Sequence, residues 1–105
     1  MKQFYSNFFK LSFALAGFAL TSAQYSNGYI VSNEGNYGTP TGEISYIDVN
    51  NNITNNIYHL ANNNEDLGDI LQSIFFEGEK SYLVLNNSNK VVVANRASFV
   101  KSAVI

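Results

Sequence analysis

Two short stretches near the end of the chain, Leu83–Val84–Leu85 and Val91–Val92–Val93, carry apolar side chains at consecutive positions of runs that read as β-strands. Successive residues of a strand point to opposite faces, so such a run needs cover on both sides of its sheet. A sheet with one wet face would alternate apolar and polar residues instead. The fold must therefore press a sheet between layers.

The rest of the chain is punctuated like a β-protein. Strand signals fall at 28–35, 43–49 and, more weakly, 53–60, separated by a Gly/Pro loop at 36–42 and an Asn turn at 50–52. After a polar connection at 61–69 come four more runs, 71–76, 81–85, 90–95 and 99–105, joined by "EGEK", "NNSN" and "RAS". Each connector is short enough for a hairpin. Leu67, Ile70, Leu71 and Ile74 instead follow helical spacing, but Gly68 among them costs about 1 kcal/mol relative to Ala. At most a turn of helix is expected near 66–70.

The two halves repeat one another. Tyr29 maps to Tyr82, 53 residues later, and Asp48 to Asn95, 47 residues later, the longer loop at 36–42 absorbing the drift. A period near 45–50 residues with three or four strands per unit is the mark of propeller blades. Val100–Ile105 reads as a strand with no turn or polar tail behind it, which sets the expectation of an N-terminal portion of a longer repeat protein. A self-contained β-sandwich of about 80 residues is the rival, and the repeat favours the blades.

Residues 1–23 read as a secretory signal: Lys2 and Lys10, the apolar run "LSFALAGFAL", then "TSA" ahead of Gln24. That run is shorter than the about 20 residues a spanning helix needs, so no transmembrane segment is expected once it is removed. The expected location is the periplasm, the cell surface or the medium. The chain has no cysteine, which excludes disulfides and thiolate metal sites. Its formal charge is −2, and residues 1–23 hold two lysines and no acid, so the remainder carries −4. Nucleic acid is not an expected partner of such a surface.

"YLVLNNSNKVVVANRASFVKSAVI" resembles one blade of the YncE-like β-propellers, with a tyrosine-led strand, Asn at its end, a V-x-V strand and a closing strand. "VSNEGNYG" and "LGDILQSI" resemble, more narrowly, exported bacterial propellers of largely unknown function, which open on N-E-G-N-F/Y-G and carry L-G-D-x-x-Q-S before their first full blade. The resemblance implies an all-β fold of antiparallel four-stranded blades, in rings of usually about seven. Residues 24–105 would then hold an incomplete first blade (28–60) and a four-stranded second blade (72–105). Some related surface propellers serve outer-membrane nutrient transporters, including ones that capture corrinoids such as cobalamin.

Chemistry is sparse. His59 is the sole histidine, and metal sites need several convergent donors. "DVNNN" (48–52) starts like a calcium loop but has Ile53 and His59 where that loop needs Gly and Glu, so a turn is expected. "NNNED" (62–66) reads as a solvated turn. No nucleophile–base pair or phosphate loop stands out. The candidate ligand contacts are Glu34, Tyr37, Asp69 and Gln72, placed on the resemblance at a propeller's loop face; the competing reading has Asp69 and Ser73 bonding backbone N–H groups and the glycines serving turns. No cofactor is named. The expectation is a non-enzymatic binding module for a small molecule, glycan or surface protein. A propeller-based lyase or oxidoreductase and an adhesive surface protein are the alternatives.

Overall fold

A computed structural model describes residues 24–105. The expected signal, residues 1–23, lies outside the described residues. Strands β1 (Gly28–Asn33), β2 (Glu43–Asp48) and β3 (Ile53–Thr54) form one antiparallel sheet in that order. A single-turn helix α1 (Ile57–Ala61) follows. Strands β4 (Leu71–Glu77), β5 (Lys80–Leu85), β6 (Lys90–Asn95) and β7 (Lys101–Val104) then form a four-stranded antiparallel meander. The described residues are thus all-β but for that turn of helix.

Register follows from the connections. Glu77 pairs with Lys80 around Gly78, at φ +58°, and Glu79, a two-residue hairpin with glycine at its first central position. Asn51 and Asn89 take positive φ in the turns at 50–52 and 86–89, the conformation that Asn tolerates best after glycine.

The sheets share one core. Ile30, Ile44 and Tyr46 of the first sheet meet Ile74, Phe76, Leu83, Val92 and Ala94 of the second, with Ile57, Tyr58, Leu67 and Phe99 wedged between. A file of rings, Tyr46–Tyr25–Phe99–Phe76, with centroids 5.3, 6.2 and 6.5 Å apart, closes one end of it. Each fully buried aliphatic or aromatic side chain contributes roughly 1.5–3 kcal/mol. The opposite faces also carry apolar groups: Tyr29, Val31 and Ile53 on the first sheet, beside the polar Asn33 and Ser45, and Phe75, Tyr82, Val84 and Val91 on the second. Tyr29 and Tyr82 both lie on those outward faces.

Three expectations are corrected. Residues 53–60 are not one strand: pairing stops after Thr54, Asn56 turns to φ 57°, and the buried Glu43 carboxylate draws the next N–H groups into helix. No helical turn forms at 66–70, because Gly68 and Ile70 sit at φ 148° and 57°. The helical spacing there comes from a bulge: Leu71 opposes Leu85 and Ser73 opposes Val84, so Gln72 is extra and Leu71 and Ile74, three residues apart, face the same core. The closing strand begins at Lys101 rather than at residue 99, because Phe99 adopts φ 60° and drops wholly into the core.

Candidate functional site

The strand ends form two loop clusters at opposite ends of the stacked sheets. At one, the N-E-G-N-Y-G loop and the L-G-D segment meet through Asp69. Its Oδ2 accepts from Gly38 N at 2.9 Å and from Asn87 Nδ2 at 2.6 Å, while its own N–H donates to Ser88 Oγ at 2.8 Å. One carboxylate thus ties three loops together. Gly35 must be glycine, since at φ 81° a Cβ would lie 2.5 Å from the Thr41 carbonyl carbon. Gly68 is held by close approach, with Leu85 Cγ and Ser88 Oγ each 3.0 Å from where its Cβ would stand.

The four ligand candidates lie along this loop cluster, and one of them is turned inward. Asp69 is buried and turned into the protein, and its Oδ1 has no hydrogen-bond partner among the described residues. Tyr37 is 80 % exposed; Glu34 is exposed and contributes its carbonyl, which accepts from Leu71 N at 3.3 Å. Gln72 is the exposed bulge residue. The bond-satisfying reading of Asp69 matches this geometry. Asp48 likewise serves its turn: its carboxylate accepts from Asn50 N, Asn52 N and Asn52 Nδ2, and the bond from Asn52 N is the main cause that holds its pKa below the usual carboxylate value.

Sequence reasoning missed Glu43. It is buried, and its Oε1 accepts from Ile44 N and Tyr58 N, both at 2.9 Å, while Oε2 accepts from His59 N at 3.1 Å. A carboxylate on β2 therefore caps the start of α1. The His59 ring stands between two acids, with Nε2 3.0 Å from Asp66 Oδ1 and Nδ1 3.7 Å from Glu43 Oε2. No group of three or more His, Cys, Asp or Glu suited to a metal ion is found among the described residues. Beside α1, the fully buried Tyr58 donates its hydroxyl to Glu65 Oε2 at 2.6 Å, and Lys101 Nζ reaches Glu65 Oε1 at 2.7 Å. Burial first, and the Glu65 bond second, push the Tyr58 pKa up; the Lys101 bond first, and the Tyr58 bond second, draw the Glu65 pKa down.

A cavity of about 590 Å³ opens at the other end of the sheets, between the start of β1, the β4–β5 hairpin and the β6–β7 loop. Tyr25, Tyr29, Phe76, Glu79, Asn95 and Arg96 are on its wall. Arg96, the sole arginine of the sequence, lies with its guanidinium 5.0 Å from the Phe76 ring centre and Nη1 3.3 Å from the Gly78 carbonyl. Its backbone N–H donates to Glu79 O at 2.8 Å, and Tyr25 N donates to Ala97 O at 2.8 Å, so the wall is built on paired backbone. Asn95 Oδ1 accepts from Ala97 N and Ser98 N, which shapes the loop below. Sequence reasoning missed this site; the one signal that could have drawn notice to it is the sole arginine, Arg96, in the connection between β6 and β7.

A protein family described as "Domain of unknown function (DUF5074)" matches residues 27–105. No curated protein matches the chain.

Proposed function

The chain belongs to this domain family of unknown function, and from that footing we propose that it is an exported binding module built as successive blades of a YncE-like β-propeller. One observation carries the reading. Two antiparallel meanders lie face to face over a single core, and each carries exposed apolar side chains on its far side. Stacking of that kind, repeated in one direction, is how propeller sheets bury both faces. Phe75 and Tyr29, 60 % and 74 % exposed, then belong to the next contacts around the ring.

Binding is favoured over catalysis by the kind of site present. The cavity is of ligand size and mixes aromatic rings with a few polar groups, the usual make-up of a recognition site. Export is supported by the basic start, apolar run and small residues of the first 23 positions.

Two measurements test the proposal. A structure of the product purified from its native host should show another sheet seated on Phe75, Tyr82 and Val91; a solvated face there refutes the ring. Mass spectrometry of the same product should find Gln24 near the new N-terminus, whereas an uncleaved cytoplasmic chain refutes export.

A further inference from the structure

We infer that the cavity between β1, the β4–β5 hairpin and the β6–β7 loop takes a neutral, polyhydroxylated ring: a pyranose-type sugar unit. The inference rests on the binding reading above and names the ligand class.

Charge balance is the first argument. The charged side chains on the wall are one Arg96 and one Glu79, and among the described residues they form no ion pair with each other. An anion such as phosphate would gain Arg96 but meet Glu79, and a cation would face the reverse. A neutral ligand bearing both donors and acceptors satisfies both groups at once. Vicinal hydroxyls do so, since each both donates and accepts. Guanidinium N–H groups point to hydroxyl oxygens, and the Glu79 carboxylate accepts a hydroxyl hydrogen in a charge-assisted bond.

Ring chemistry is the second. Tyr25 and Phe76 form the apolar part of the cavity wall. Sugar rings carry C–H groups on one face and hydroxyls around the rim, so they match a flat aromatic surface flanked by polar groups. The Arg96 guanidinium is held over Phe76 and tied to the Gly78 carbonyl, so little side-chain freedom remains to be lost on binding. About 590 Å³ accommodates one or two sugar units and lies within the roughly 300–1,000 Å³ of small-molecule sites.

The test is amide-resolved NMR of the full chain titrated with maltose, cellobiose, lactose and N,N′-diacetylchitobiose, and separately with a neutral tripeptide. At least one sugar should shift the Tyr29, Gly78 and Arg96 amides with saturable, millimolar binding. Arg96→Ala and Glu79→Ala should each weaken it by about tenfold, the loss of one good contact, with the rest of the spectrum unchanged. Silence of these amides toward all four sugars overturns the sugar assignment, as does binding by either variant as tight as the parent's. If the tripeptide shifts them while the sugars do not, the cavity remains a binding site and only the ligand class falls.

Discussion

Glu43 is the residue on which the junction between the first sheet and the connection to the second turns. Replacing it with alanine removes an acceptor from three backbone N–H groups: Ile44 N and Tyr58 N, both buried, and His59 N at the edge. A buried donor left without a partner costs about 1–3 kcal/mol. Two such donors give about 2–6 kcal/mol, and relief from burying a carboxylate offsets part, so about 3 kcal/mol is expected. Glutamine keeps one oxygen for Ile44 N and Tyr58 N but can set an amide N–H against His59 N. That loses one bond, and Glu43→Gln should cost about 1–2 kcal/mol. Urea unfolding read by far-UV circular dichroism separates the two. With an m-value of about 1 kcal/mol/M, the alanine midpoint should fall by about 3 M and the glutamine midpoint by about half as much. An alanine variant within about 0.5 kcal/mol of the parent would refute the capping role. So would a glutamine variant as weak as the alanine one, since the argument depends on the retained oxygen.

Phe99→Ala should destabilise by about 3–5 kcal/mol in the same assay, because the ring is wholly buried and is the middle of the file from Tyr25 to Phe76. Asp69→Ala should cost about 1–3 kcal/mol and speed amide exchange at Gly38, while leaving any ligand shift at the Arg96 cavity intact. Tyr58 makes stability fall at high pH: its folded pKa is raised, so its contribution is full below the unfolded value near 10 and is lost as pH rises toward the folded one. The unfolding free energy should drop by up to about 1.4 kcal/mol per pH unit above 10, and Tyr58→Phe should remove that slope. Glu65 acts at the other limb: its lowered pKa gives stability present above the ordinary carboxylate value and lost as pH falls through the folded one, and Glu65→Gln should flatten the acid-side decline.

Much of the strand content was legible because its determinants are local. Asn runs, Gly78 and the β-branched stretches act within a few residues, and β2, β5 and β6 fall close to where the pattern puts them. The misread places were decided by partners distant in sequence. Glu43 reaches across 15 residues to begin α1, and no local rule foretells that. The bulge at Gln72 converted a two-residue period into an apparent helical one. Phe99 looked like the start of a strand because an aromatic at φ 60° is uncommon; the core behind it outweighs its backbone cost. The site was less legible still. Asp69 has the residue type of a ligand contact but spends one oxygen on two loops, whereas Arg96 and Tyr29 become neighbours of one cavity only when the sheets stack.

The outward tyrosines bear on how the two sheets correspond. If they are successive members of one ring, as proposed, equivalent residues must face the same way around it. Ile30 and Tyr46 face the second sheet, so their counterparts must face away from the first. Tyr29 faces backward and Tyr82 forward, so the match of Tyr29 to Tyr82 fails on direction although the letters agree. Aligning β1 with β4 restores it. The ladder Ile30–Tyr46–Thr54 then falls on Phe75–Tyr82–Val93, and Tyr29–Ile47–Ile53 on Ile74–Leu83–Val92. The aligned strands are also those whose ends touch, since Glu34 O, just past β1, accepts from Leu71 N at the start of β4. On this correspondence the first sheet has the counterparts of β4, β5 and β6, and the place equivalent to β7 is the open edge of β3. A strand added there would complete four, and it would protect from hydrogen exchange the amide of Ile53, which faces that edge, Thr54 being turned toward Tyr46 of β2.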